Sequence, residues 1–381
     1  MAHADTQTSL LVLGVHLKSE GYPNTLYRLR DLEASGLFRL SEINVPMWNE
    51  STQSRHGFSR LTRNSWRAII AHIMVMIRYL AARHPERVYV PYPSVFVLFL
   101  LSWLPAWCRP RYIVADVFIS LYDTIVLDRH LIRKQGLPAR ILKWVESRAY
   151  ACADKLVVDT PQNARHLCSL FKLPEAKFVA VPLSTDEVHF KYTPYRPTPG
   201  ICRVLFVGTM VPLHGIETIL DAARLLSGRS DIHFKLIGDG QDAPIVEAWL
   251  RTHTPHLDWE RAWQPSHRIA EEIRSADICL GIFGAGEKAQ RVCPFKIYAY
   301  ASMGRAVITG ETLWLREAAQ LPYEAFASVP VIDAAALAAK IIQLADAPML
   351  RAKLAANSRQ FYESNLSNQA ALTQLAQVFA L

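Results

Sequence analysis

Residues 281–310 read GIFGAGEKAQRVCPFKIYAYASMGRAVITG and carry three cations, Lys288, Arg291 and Lys296, between the apolar runs DICLGIF and RAVITG. The flanking runs read as buried strands, so the cations occupy a loop and the start of the helix KIYAYASMG, which follows Pro294, a residue suited to a first helical turn. Cations at a helix N-terminus oppose its dipole, so for stability alone the placement is poor. An anionic ligand reverses that penalty. A diphosphate would use helix-end N–H groups together with ammonium and guanidinium donors. The plainer alternative is three solvated loop charges.

Two further strand-to-helix turns could serve the same ligand. In RVLFVGTMVPLHGIETILDAARLL (203–226) a strand ends at Gly208 and a helix begins near Gly215, a geometry in which loop glycines and N-terminal N–H groups admit a phosphate. Neither the dinucleotide fingerprint nor the P-loop spacing is present, and an ordinary strand-to-helix turn reads the same way. In IHFKLIGDGQD (232–242) Asp239 could accept from a ribose or base edge, or simply tolerate the turn dihedrals. Trp263 and Gln264 precede a helix for which Ser266 reads as N-cap. They could hold a flat base, or Trp263 could be core.

The elements that position these residues repeat along the chain. SLLVLGV, RVYVPYP, RYIVADVF, KLVVDT and KFVAVPLST, then RVLFVG, IHFKLIG, DICLGIF and RAVITG, alternate with helical stretches. Such strands predict parallel sheets covered on both faces. KYTPYRPTPG (191–200) reads as a linker. A chain of 381 residues exceeds one ordinary core. The expected division is 1–195, 196–360 and a helical segment 361–381 whose docking could be on the N-terminal domain.

Composition narrows the partners. Residues 1–200 carry 25 Lys+Arg against 16 Asp+Glu, and residues 201–381 carry 17 against 18, so the excess charge lies in the first half. That asymmetry predicts an anionic membrane surface or acidic substrate, and no nucleic-acid motif accompanies it. The run YPSVFVLFLLSWLPAW (92–107) is too short to span a bilayer. WRAIIAHIMVMIRYLAAR (66–83), apolar nearly all round, reads first as a buried helix and second as a membrane-interface helix. Six cysteines without a pairing pattern and a polar start predict a cytoplasmic protein.

The ordered set RVLFVGTMVPLHGIETILDAA, FKLIGDG, IRSADICLGIF and PFKIYAYASMGRAVITG resembles the C-terminal half of nucleotide-sugar glycosyltransferases of the GT-B fold, group-one class, family four. In the first half, KSEGYPNTLYRLRDLEASG and RYIVADVFISLYDT are similar to the family's first loop and active-site strand. The resemblance implies an α/β GT-B fold, two Rossmann-like doubly wound parallel-sheet domains facing across a cleft. It also implies a donor sugar nucleotide held by the C-terminal domain, an acceptor held by the N-terminal one, and retention of configuration without a metal. No other cofactor is implied. The sequence also lacks an Asp-x-Asp triplet.

Carried over by position, Gly208 opens the phosphate loop, but Thr209 and His214 stand where the family usually has arginine and lysine. The family's paired glutamates fall at Arg291 and Ala299, while Lys296 keeps the lysine of a Pro-x-Lys variant. Cationic duty is therefore expected at Lys288, Arg291 and Lys296, with His214 assisting when protonated. Asp116 occupies the acceptor-side position and could hold a sugar hydroxyl, or cap the strand end. Asp123 and Asp128 are weaker candidates. Gly21 and Asn24 match the turn that approaches the diphosphate.

The expectation is a glycosyltransferase, peripheral to the inner membrane surface, that transfers a sugar to a glycan or lipid-linked acceptor in surface polysaccharide or glycolipid synthesis. The alternatives are a non-catalytic nucleotide- or glycan-binding module, a GT-B sugar-nucleotide epimerase and, last, a dinucleotide-dependent oxidoreductase.

Overall fold

The computed structural model describes residues 7–19, 23–46, 65–82, 86–197, 200–253, 256–318 and 322–379. The chain forms two compact units, Met1–Ser184 with Asn368–Leu381, and Thr185–Ser367.

The first unit runs β1 (Thr8–Gly14), α1 (Pro23–Ala34), β2 (Phe38–Asn44), α2 (Ser65–Ala81), β3 (Arg87–Val90), α3 (Val95–Leu101), β4 (Tyr112–Asp116), α4 (Leu137–Cys152), β5 (Lys155–Val158), α5 (Pro161–Phe171) and β6 (Phe178–Ala180). Its strands form one parallel sheet of order β2-β1-β3-β4-β5-β6. Alternate residues of a strand point to opposite faces. Thus Leu11 and Leu13 join the core under α2, α3 and α4, while Leu10 and Val12 join the one under α1. Both faces are covered, which is why β1 is apolar throughout its buried length.

The second unit runs β7 (Cys202–Val207), α6 (Ile216–Leu225), β8 (Ile232–Ile237), α7 (Ala243–Leu250), β9 (Leu257–Glu260), α8 (Ser266–Ser275), β10 (Ile278–Leu280), α9 (Glu287–Arg291), α10 (Phe295–Ser302), β11 (Ala306–Gly310), α11 (Leu313–Ala318), β12 (Ala327–Val329), α12 (Ala334–Asp346) and α13 (Pro348–Phe361). Its parallel sheet has the order β12-β11-β10-β7-β8-β9. The winding reverses between β7 and β10. In open α/β sheets, ligands bind beyond the strand ends at such a reversal.

The last helix, α14 (Asn368–Phe379), belongs to the first unit. Phe379 meets the Phe38 and Tyr89 rings edge-on at centroid distances of 5.4 and 6.1 Å, and the Tyr112 hydroxyl donates to the Val378 carbonyl at 2.8 Å.

The structure moves the expected boundaries. The first division falls after Ser184 instead of after 195, because side chains of the second unit hold the chain from Glu187 onward. The Tyr362 hydroxyl donates to Glu187 at 2.6 Å, and Arg305 donates to the Thr193 carbonyl and hydroxyl, each at 2.9 Å. Tyr195 donates to Asp277 and accepts from Arg351. Much of KYTPYRPTPG is therefore fastened to one unit. The second division falls at 367/368 instead of 360/361, since a π-helical turn, Tyr362–Leu366, continues α13.

Three strands, β2, β9 and β12, lie outside the apolar runs of the sequence. All three are sheet edges. An edge strand meets one neighbour and keeps polar residues, as in FRLSEIN and LDWE, so it lacks the continuous apolar run of a central strand. The α2 expectation also changes: Ala71, Val75, Met76 and Tyr79 are buried, but the opposite face, with Ile69, Ile73 and Ile77, is exposed. Among the described residues, no helix is long and apolar enough to cross a membrane.

Candidate functional site

Beyond β7 the chain is locked into the loop after β8. The Gly208 N–H donates to the Ile237 carbonyl at 3.0 Å and the Met210 N–H to the Asp239 carbonyl at 3.2 Å. Two backbone donors expected to face a phosphate are thus already used. Gly238 has φ 137°, and a Cβ there would stand 1.9 Å from the Gly208 carbonyl oxygen, so only glycine permits this approach. A one-turn helix, Pro212–His214, then leads through Gly215 into α6. Its carbonyls hold the strand end after β10, with the Phe283 N–H donating to His214 at 3.1 Å and the Gly284 N–H to Leu213 at 3.2 Å.

Lys296 enters this cradle from α10. It sits at the second position of the helix, which begins at Phe295, one residue before the expected start, with Pro294 as N-cap instead of in the first turn. A Cβ on Gly208 would lie 2.7 Å from Lys296 Nζ and 3.0 Å from His214 Cε1, so the three residues converge at one point. Phe206 backs them: its ring centroid is 3.7 Å from Nζ and 5.5 Å from that of His214. The Lys296 ammonium is buried and has no hydrogen-bond partner among the described residues. Burial alone pushes its pKa well below that of an ordinary lysine.

Lys288 and Arg291 are not in a loop. They belong to the short helix α9, which packs against Pro212–His214, because residues 287–291 close one turn before Pro294 interrupts them. Arg291 is buried and Lys288 half-buried. Thr209 is exposed. Asp239 accepts from its neighbour Gly240 N–H at 2.8 Å and from Arg261 Nε at 3.0 Å. Trp263 is exposed, so the core alternative for it fails, and Gln264 donates to Glu260 at 2.5 Å. Ser266 is the first helical residue of α8, and Pro265 is the N-cap. A separate hollow of about 430 Å³, lined by residues including Glu311, Arg316, Tyr323 and Phe326, touches none of these side chains.

In the first unit, Asp116 ends β4 and is 1 % exposed. Its Oδ2 accepts from Arg28 Nη1 at 2.6 Å, Asn24 Nδ2 at 3.1 Å and the Tyr89 hydroxyl at 3.2 Å. Desolvation pushes the carboxyl up, and the guanidinium opposes it. Arg28 also donates to the Pro182 carbonyl at 2.7 Å, and Asn24 Oδ1 accepts from the Ser184 N–H at 2.9 Å. Asp116 and Asn24 are brought together, and Asn24 and Arg28 tie the chain just after β6 to α1. Gly21 lies outside the described residues.

Asp123 is buried beside His166, 3.1 Å from Nε2, and Asp128 closes the π-helical segment Asp123–Asp128. Sequence reasoning missed Arg28 and Glu146. Glu146 is fully buried and accepts from the N–H groups of Leu121 and Tyr122, both at 2.8 Å, and from the hydroxyls of Ser120 at 2.9 Å and Tyr150 at 2.7 Å. It pins the loop after β4. Burial pushes its pKa up, against four donors that lower it. The only sequence signal was a carboxylate one helical turn before a tyrosine.

The comparisons bear on both units. Residues 202–347 match the sequence model of the family described as Glycosyl transferases group 1. No curated protein sequence matches the chain. Among solved structures, the chain resembles sucrose-phosphate synthase from Thermosynechococcus elongatus at TM-score 0.72 and 15% identity, covering 98% of each chain. It resembles Anabaena Alr3699/HepE in complex with UDP and glucose at TM-score 0.66 and 11% identity, covering 98% of this chain and 100% of that one. A glycosyltransferase from Rickettsia africae aligns at TM-score 0.62 and 14% identity, again over 98% of each. The chain therefore has the GT-B fold, and the match to the Glycosyl transferases group 1 model lies within its second unit.

Proposed function

We propose that this protein transfers a sugar, with retention, from a nucleoside diphosphate sugar to a glycan or lipid-linked acceptor in the building of a surface polysaccharide or glycolipid. The observation that carries this reading is Lys296: a buried amine with no hydrogen-bond partner among the described residues, beside a glycine, at the winding reversal of a Rossmann-like sheet. An isolated buried cation is costly unless a ligand compensates it. A diphosphate at Gly208 would supply the charge, and the first turn of α10 would add N–H donors.

In this reading Lys296, with Arg291 and Lys288 on the adjoining α9, stabilises the departing nucleoside diphosphate as the glycosidic bond breaks. The acceptor hydroxyl gives its proton to a phosphate oxygen of the donor on the same face, so no protein base and no metal are required. Asp239 holds the Gly240 N–H and Arg261 through Oδ1, so Oδ2 would be the oxygen offered to a ribose, and Trp263 offers an exposed face for a base. Asp116, engaged by three side chains, would act on the acceptor side by holding Asn24 and α1 in place.

Titration calorimetry with a panel of uridine, guanosine and adenosine diphosphate sugars tests the reading. Expected are saturable binding to one base class, slow release of free sugar, and loss of binding in Lys296→Ala. Binding without any turnover, with or without candidate acceptors, would instead support a non-catalytic module, which the lost glutamates favour. The enzyme is further proposed to work at the inner face of a membrane, where a lipid-linked acceptor would reside.

A further inference from the structure

We infer that the outer face of α2, α3 and α4 in the first unit is a docking surface for an anionic lipid bilayer. This deepens the proposed membrane location and rests on it, but it does not depend on the nucleotide site.

The argument starts from α2, which carries two apolar stripes where a globular helix needs one. Ala71, Val75, Met76 and Tyr79 fill the core beneath it. Trp66, Ile69, Ile73, Ile77 and Leu80, spaced three or four apart, form a second stripe on the opposite side, with Ile69 and Ile77 each 60 % exposed. The stripe does not end at the helix. The Phe96 ring of α3 meets His72 of α2 edge-on at 5.6 Å, and Phe99 meets Trp144 of α4 at 5.5 Å. Just beyond α3, Trp103 and Trp107 are 59 % and 85 % exposed. An apolar area continuous over three helices is more than a monomer's surface ordinarily leaves open.

Charge decides what covers it. Residues 65–82, 95–109 and 137–148 hold six cations, Arg67, Arg78, Arg109, Arg140, Lys143 and Arg148, and one carboxylate, Glu146, which is fully buried. Exposed Arg133 and Lys134 stand just ahead of α4. Arg148 lies over the Trp103 ring at 4.0 Å and Arg67 over the Trp66 ring at 5.3 Å, a pairing of cation and amphipathic ring suited to the headgroup level. A second copy on this face would set these cations against their own symmetry mates with no carboxylate between. Anionic headgroups match them, and acyl chains match the stripe. α2, 17 residues long and with its other face in the core, would lie in the interface plane instead of crossing.

Sedimentation of the full chain with phosphatidylglycerol/phosphatidylethanolamine vesicles tests this, with phosphatidylcholine vesicles and high salt as controls. Expected is binding to the anionic vesicles that salt weakens, and a loss of about tenfold or more in the double variant Ile73→Asp/Ile77→Asp. Trp107→Ser, outside any long helix, should lower partitioning severalfold without disturbing folding, which circular dichroism checks. Nucleotide-sugar binding in solution should be unchanged in both variants. Failure of the wild type to bind anionic vesicles at low salt, or unaltered binding by both variants, overturns the inference. So does a dimer in solution that Ile73→Asp/Ile77→Asp dissociates, which would give the face to a second copy. A protein that binds vesicles but no sugar nucleotide would keep this inference and remove the proposed activity.

Discussion

Lys296 Nζ stands 3.7 Å from the centroid of the Phe206 ring, inside the sheet-end cradle of the second unit. The ring favours a cation by about 0.5–2 kcal/mol. Desolvation outweighs this, and the amine is held well below its ordinary range. Stability and ligand binding therefore pull on this residue in opposite directions.

Replacing Lys296 with Met should raise stability while abolishing diphosphate binding. The folded pKa lies below the unfolded value, so between the two the unfolded chain binds the extra proton and folding is favoured as pH rises. The cost of burying Lys296 is greatest below its folded pKa and vanishes above about 10.4. Urea unfolding should show Lys296→Met more stable near neutral pH, the gain shrinking toward pH ~10. A less stable variant would mean that the ammonium has a partner.

A nucleoside diphosphate sugar should bring a proton with it. If Lys296 is neutral in the free protein and charged beside phosphate, calorimetry in buffers of different ionisation enthalpy will show uptake approaching one proton per site. Lys296→Met should show none. Equal uptake in both proteins would assign the proton elsewhere.

Gly208→Ala should block the site at little expense to the fold. The added Cβ would meet Lys296 Nζ at 2.7 Å and His214 Cε1 at 3.0 Å, both on side chains that can shift, and Gly208 is not among the glycines with positive φ. Sugar-nucleotide affinity should fall by about tenfold or more, with Tm changed by only a few degrees. Unchanged affinity would place the phosphates away from Gly208.

The Asp116–Arg28 pair predicts a stability effect before a catalytic one. Asp116→Ala leaves a buried guanidinium uncompensated and should cost about 3–5 kcal/mol, whereas Asp116→Leu combined with Arg28→Met should recover much of it. If Asp116→Ala folds with wild-type stability but loses turnover, the carboxylate touches the reacting groups directly.

The central strands and glycine turns were readable from residue order because a strand buried on both faces must be apolar, and a chain reversing at its end must be small or polar. β1, β4, β7, β8, β10 and β11 all match runs visible in the sequence. Gly208 and Lys296 were visible only as residue types that suit a phosphate site. The edges β2, β9 and β12 escaped because half-exposed strands have no such signature.

What the linear order determined is therefore the α/β alternation, the two parallel sheets and the residue types beside the Rossmann strand ends. What only the tertiary structure decided is which of them meet. Lys296 reaches Gly208 across 88 residues because β7 and β10 are neighbours at the winding reversal, and Arg28 reaches Asp116 because α1 packs over the end of β4. The outward stripe of α2 was likewise undecidable in one dimension. A helix apolar all round does not say which side the core will take; that follows from the sheet it covers.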